Sequence, residues 1–134
     1  MVIRPSRPDD GDAIAAIQRA SPEASSWDPT GYDVTVGELD GAVVGFLVTR
    51  RIAPDEFEIL NLAVAPASRR KGVARALVSA FLAHLSGGVF LEVRDSNHGA
   101  RKFYEAIGFK VLSRRSQYYS NPPEPGIVMN FHSC

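Results

Sequence analysis

The sequence predicts a mixed α/β domain of the α+β kind, with about seven strands in one central sheet flanked by about four helices. Short runs rich in valine, isoleucine, leucine and phenylalanine, bounded by glycine, proline or aspartate, recur along the chain. Between them lie segments whose apolar residues return every three or four positions. The 134 residues, 45% hydrophobic and 22% charged, suffice for one core and are too few for two, so a single domain over 1–134 is expected.

"VIR" opens as a short strand. "PSRPDDGDAIAAIQRA" follows as a helix, with Asp9 or Asp10 as its cap and Ile14 and Ile17 on its inner face. Ser21 as N-cap with Pro22 at the first helical position predicts a second short helix. "VTVGELDGAVVGFLVTRR" reads as two strands around the tight hairpin turn Asp40-Gly41, and "EFEILNLAVAP" as a strand ended by Pro66. From Val73 the apolar residues Val73, Leu77, Phe81 and Leu85 take helical spacing, stopped by Gly87-Gly88. "VFLEV" is expected to be a central strand covered on both faces. Asn97 can cap a helix with Ala100, Phe103, Tyr104 and Ile107 on one side, closed by Gly108 and an apolar contact from Phe109. "FKVLSRRSQYY" and "GIVMNF" end the chain as two strands joined by the proline-rich "SNPPEPG".

Formal charge balances to zero, so bulk charge points neither to nucleic acid nor to a membrane surface. "MVIRPSRPDDGD" lacks the apolar core of a signal peptide, and no apolar run approaches the ~20 residues of a membrane span. A cytoplasmic protein is expected, as a monomer or homodimer. The lone cysteine, Cys134, offers no internal disulfide, and His132 with Cys134 makes too small a set for a metal site, so no metal is expected.

Against this neutral background "APASRRKGVARAL" places three successive cations between a strand end and a helix start. The first N–H groups of a helix lack partners within it, and the helix dipole favours an anion there, so a phosphate suits the position. Gly72 allows close backbone approach, Val73 and Ala74 offer N–H groups, and Arg69, Arg70 and Lys71 flank the charge. A merely solvated basic turn explains the same residues when they are taken alone. Neither G-x-x-x-x-G-K-[ST] nor G-x-G-x-x-G is present.

R-x-x-G-x-A at Arg69, Gly72 and Ala74, the preceding "NLAVAP", and N-x-x-A-x-x-x-Y-x-x-x-G-F from Asn97 to Phe109 together resemble the GNAT superfamily of acetyl-CoA-dependent N-acetyltransferases. "LEVRDSNHGARKFYEAIGF" and the tail "RRSQYY...P...IVM" are similar to the bacterial ribosomal-protein-alanine N-acetyltransferases, the RimI-like group. The resemblance implies a mostly antiparallel, splayed sheet and acetyl-CoA as co-substrate. It places Arg69 to Ala74, with Arg75, at the coenzyme A pyrophosphate, and Leu62, Ala63 and Val64 beside the pantetheine. It also sets Asn97 near the pantetheine arm, a role compatible with capping.

Acetyl transfer from a thioester to an amine needs a base for the ammonium and benefits from an acid for the departing thiolate. Glu92 is the first candidate base, as the ionisable residue inside "VFLEV", where a carboxylate is costly without a task or a partner. A structural ion pair with an arginine is the competing explanation. Glu58 is the second candidate base, by its match to histone-type members. Tyr104 has the spacing of a packed aromatic, and the resemblance makes it the proton donor. His84 and His98 are expected at the surface. For the acceptor, the resemblance implies a cleft of roughly Ser25 to Tyr32, including Trp27, and Tyr118 to Gly126, with Tyr118 and Tyr119 as paired aromatics. Pro125-Gly126 departs from the acidic-alanine pattern common in that group, with Glu124 one residue out of register. The acceptor is thus expected to be a protein N-terminal α-amine. A small-molecule amine, or a domain that binds acetyl-CoA without catalysis, are the alternatives.

Overall fold

The computed structural model describes residues 1–21, 32–119 and 123–133, and of 117–119 and 133 the backbone alone. Seven strands form one sheet, β1 (Val2–Pro5), β2 (Asp33–Leu39), β3 (Ala42–Ala53), β4 (Glu56–Val64), β5 (Gly87–Arg94), β6 (Lys110–Tyr119) and β7 (Glu124–Ser133), in the order β1-β2-β3-β4-β5-β7-β6. Among the described residues three α-helices accompany them: α1 (Gly11–Arg19), α2 (Val73–Ala83) and α3 (His98–Ile107). The mixed α/β class is as the patterns predict. The helix expected after Ser21 lies outside the described residues. None of the three helices is long and apolar enough to cross a membrane.

The chain groups into two compact units, Met1–Arg50 with Ile59–Leu85, and Arg51–Glu58 with Ser86–Cys134. In the first, β1 and β2 pair antiparallel, as do β2 and β3. The hairpin turns at Asp40 (φ 53°) and Gly41 (φ 82°); two successive positive φ values match the right-handed twist of the strands it joins. Ile17 of α1 packs with Val36, Phe46, Val48 and Ala63. Each large side chain in this cluster contributes roughly 1.5–3 kcal/mol by leaving water. On α2 the predicted spacing buries Val73, Leu77 and Val78. A Cβ on Gly37 would lie 3.2 Å from Val73 and 3.8 Å from Leu77, so the helix sits close on the hairpin.

Asp10 occupies the N-cap position of α1, but its side chain makes no cap bond to the helix. It accepts instead from Arg4 Nη1 (2.8 Å), Arg4 Nη2 (3.0 Å) and the Arg7 N–H (2.7 Å), while Arg4 also binds Glu38. These bonds hold the Asp10 carboxyl down at about 2, with Arg4 the largest cause. A depressed carboxyl stabilises the fold at pH values above its unfolded pKa and loses that contribution as pH falls from about 4 toward about 2. Asp10→Asn is therefore expected to lower the melting temperature at pH 7 and to flatten its fall across that acid window.

In the second unit Glu56, Phe57 and Glu58 of β4 run parallel to Gly88, Val89 and Phe90 of β5. β7 pairs antiparallel with both β5 and β6. β5 is central as expected, but its two faces differ. Val89 and Leu91 are buried on one, with Ile127 and Met129 beside them, whereas Phe90 and Glu92 on the other are half-buried. Gly87-Gly88, expected to stop α2, instead begins β5, and the helix ends earlier at His84. Gly87 has φ 121°, and a Cβ there would run into the Asp55 carbonyl, so glycine is required by both strain and space. Asn97 caps α3 as predicted, its Oδ1 accepting from Ala100 N–H at 3.2 Å. Gly108 (φ 125°) closes the helix, with its N–H shared between the Tyr104 and Glu105 carbonyls.

Candidate active site

The cation-rich turn belongs to the first unit. β4 ends at Val64, the Ala65 N–H donates to the Val44 carbonyl (2.7 Å), and Pro66–Ser68 make one 3₁₀ turn. Arg70 then takes φ 64° and Gly72 φ 81°. A left-handed residue other than glycine costs roughly 1–2 kcal/mol, so the surrounding turn must impose the conformation at Arg70. No atom lies within 4 Å of a Cβ built on Gly72, so backbone conformation rather than space selects glycine there. Gly72 is the N-cap of α2, and the Ala76 N–H donates to its carbonyl at 3.0 Å. The N–H groups of Val73, Ala74 and Arg75 therefore precede the first intrahelical bond and face the turn.

The three cations differ. Arg69 Nε donates to the Val64 carbonyl (3.2 Å) and Nη2 reaches Ser21 Oγ (3.5 Å), so its guanidinium is engaged in shaping the turn. Arg70 and Lys71 are exposed. On β4, Ala63 is buried and Leu62 and Val64 are half-buried. The Leu62 N–H is taken by Asn61 Oδ1 (2.9 Å), and Asn61 Nδ2 donates to Gln18 Oε1 (2.8 Å). Asn61, 5% exposed, is a residue that sequence reasoning passed over; a lone amide inside "EILNLAV" is the signal that marks it.

The second unit holds the ionisable groups. The register sets Glu58 opposite Phe90, on the same face of the sheet as Glu92, since residues two apart share a face. Arg115 Nη1 of β6 donates to Glu92 Oε1 at 3.2 Å; the Glu92 side chain is 16% exposed and that of Arg115 54%. Burial pushes the Glu92 carboxyl above the ordinary carboxylate range, Arg115 pulls it down in part, and the charge of Glu58 adds to the rise. The structure thus brings the two candidate bases together, and it adds an arginine that sequence reasoning did not single out. An ion pair for Glu92 had been the competing explanation; the pair exists, and Glu92 remains shifted upward despite it.

Tyr104 is buried on α3, with its ring 5.1 Å from Phe103 and 5.3 Å from Phe109 in edge contacts. Phe109 stacks on Phe131, which registers with Val89. This aromatic chain therefore lies on the Val89 face of β5, and Glu92 points to the other. Burial pushes the Tyr104 phenol well above its usual value, so it stays protonated at neutral pH.

Glu124 accepts from Ser96 Oγ (2.9 Å) and lies 4.0 Å from Arg94. Asp95 holds Arg101 (3.2 Å) and Arg114 (3.3 Å). His84 and His98 are exposed, as expected. Among the described residues no group of three or more His, Cys, Asp or Glu side chains is gathered as a metal site. Trp27 lies outside the described residues, and Tyr118 and Tyr119 lie in β6 with their side chains outside them.

Comparison with known proteins matches residues 7–109 to the Acetyltransferase (GNAT) family. The chain is 34% identical over 84 residues to the [ribosomal protein bS18]-alanine N-acetyltransferase of Haemophilus ducreyi, covering 60% of this chain and 57% of that protein. It is 35% identical over 83 residues to the N-alpha-acetyltransferase RimI of Mycobacterium tuberculosis, covering 59% and 52%. The chain thus spans little more than half the length of these two relatives. The fold is similar to the crystal structure of the ribosomal-protein-S18-alanine N-acetyltransferase from Escherichia coli, with a TM-score of 0.83, 25% identity, and coverage of 99% of this chain and 94% of that one. These matches lead to one conclusion: the chain belongs to the acetyltransferase (GNAT) family.

Proposed function

We propose that this protein moves the acetyl group of acetyl-CoA to the α-amine of a protein N-terminus, of the ribosomal-protein-alanine type, in the cytoplasm. The observation that carries the reading is Glu92, a mostly buried carboxylate pushed up toward the range of a useful base and facing the same side as Glu58. Arg70, Lys71, Gly72 and the N–H groups of Val73 and Ala74 hold the coenzyme A pyrophosphate, and Arg69 sets the turn that presents them. Leu62, Ala63 and Val64 line the pantetheine, the Leu62 N–H being already held by Asn61, and Asn97 serves both the arm and its helix. Trp27, Tyr118 and Tyr119 receive the acceptor.

In the reaction Glu92, with Glu58 as its neighbour, removes a proton from the acceptor ammonium. The freed amine attacks the thioester carbonyl and the C–S bond breaks. The Tyr104 O–H donates to the departing thiolate, and the second proton of the amine nitrogen, released as the adduct collapses to the amide, balances the one that Tyr104 regains through solvent. An α-amine has a pKa of about 7.7–8.0 against about 10.4 for lysine, so its deprotonation is easier by roughly 3 kcal/mol, which suits a single carboxylate base.

A peptide beginning Ala-Arg, with lysine and a polyamine in parallel, tests the reading when free thiol is followed after addition of acetyl-CoA. Thiol release with the peptide and not with the small amines is expected. Failure of the peptide to release thiol overturns the reading, and release with the polyamine alone turns it toward a small-molecule acceptor.

A further inference from the structure

Arg115 and Glu92 come from strands that are not neighbours: β7 lies between β5 and β6. Across these strands Glu92 registers with Val128, and Val128 with Ser113; two residues along, Arg94 registers with Gly126, and Gly126 with Arg115. Paired residues share a face, so Glu92, Arg94, Gly126, Val128 and Arg115 all belong to the half-buried face of β5. The guanidinium therefore reaches Glu92 diagonally over β7. The residue of β7 level with Arg115 is glycine, which has no side chain to stand in that path. This gives Pro125-Gly126 a purpose that the reading of the site did not.

The pair is asymmetric. Glu92 is held in the sheet and mostly shielded, while Arg115 is more than half exposed on a long flexible stem. The guanidinium is the more accessible of the two charges, so it is the one that an incoming cation can replace. The charges on Glu92's face include Arg115 from β6, Glu58 from β4 and Arg94 two residues along β5, and β7 sets the apolar Val128 opposite it.

We propose that Arg115, reaching over Gly126, holds the place of the acceptor's ammonium on Glu92, and that the acceptor binds by displacing it. This rests on Glu92 being the base. In the resting protein the guanidinium favours the ionised carboxylate against the effect of burial. When the acceptor arrives, one cation replaces another on Oε1, and a proton can then pass from the ammonium to the carboxylate, which a guanidinium would not give up. Arg115 is thus a positioning residue that sets the threshold for acceptor entry.

Arg115→Gln is expected to lower KM for the peptide acceptor about two- to fivefold, equivalent to ~0.4–1 kcal/mol. It is also expected to raise the titration midpoint of Glu92 in the resting protein, followed by carbon-13 NMR of the side-chain carboxyl. Arg115→Lys should fall between wild type and Arg115→Gln on both readouts. Gly126→Ala, which places a methyl group in the path, should move both in the direction of Arg115→Gln. A KM that does not fall in Arg115→Gln, or a Glu92 titration that does not move, overturns the proposal. Glu92→Gln separates this failure from failure of the reading beneath it: full turnover in that variant removes Glu92 as the base, whatever Arg115 does.

Discussion

Glu92→Gln is expected to lower kcat with an α-amine acceptor by roughly a hundredfold or more, while acetyl-CoA still binds. The amide is nearly isosteric with the carboxylate and keeps an oxygen for Arg115, so the change removes the base and leaves the shape. It also removes a charge that is costly to bury, so the melting temperature should hold or rise. The pH profile gives the sharper readout. As the proposed base Glu92 would work only when deprotonated, and its folded pKa is raised, so wild-type turnover should fall as pH drops through a midpoint above the 4.5 of an ordinary glutamate. In the variant that acid limb should vanish. If Glu58→Gln instead erased the limb while Glu92→Gln left it intact, the roles of the two carboxylates would be exchanged.

Gly45→Val should damage stability and cofactor binding together. A Cβ at Gly45 of β3 would lie 2.9 Å from Val73 Cγ1, 3.1 Å from the Ala63 carbonyl oxygen and 3.3 Å from Val64 Cγ2. The side chain of Val73 is fully packed and the Ala63 carbonyl is part of a strand, so neither can yield cheaply. Overpacking of this kind costs about 1–3 kcal/mol, or roughly 4–12 °C in melting temperature for a chain of this size. The atoms that must move belong to the first residue of α2 and to the segment proposed to line the pantetheine. KM for acetyl-CoA should therefore rise in protein that remains folded. Gly11→Ala is the control: a Cβ there meets nothing within 4 Å, and stability and KM should both stay near wild type. Thermal melts alongside initial rates distinguish the two sites.

Features that depend on a few consecutive residues were legible in the sequence. The hairpin at Asp40-Gly41, the Asn97 cap, the Gly108 closure and the left-handed Gly72 before α2 each rest on conformations that particular residue types favour locally. The misreadings have a common physical cause. Asp10 stands where a cap should, but Arg4, six residues away, competes for its carboxylate with two guanidinium bonds. Gly87 looks like a helix stop, yet the carbonyl of Asp55, 32 positions earlier, is what excludes any side chain there. The same holds at the site. Glu92 stands out in the sequence because a carboxylate in an apolar strand is conspicuous. Arg115 does not, because its meeting with Glu92 depends on the register of three strands and on a bulge in β6 between Arg115 and Tyr119. No local pattern encodes a diagonal contact across an intervening strand.

The engagement of Arg69 divides the charge of its turn into two kinds. Two of its bonds, to the Val64 carbonyl and the Ser21 hydroxyl, are to neutral groups, so dissolved ions have little electrostatic attraction to screen in them. Arg70 and Lys71 stand in solvent, where at physiological ionic strength the field of each fades over about 8 Å. If the turn holds the pyrophosphate as proposed, raising the salt concentration would weaken capture of that anion and leave those two Arg69 bonds in place. Affinity and architecture, though built from adjacent residues, answer to different properties of the medium.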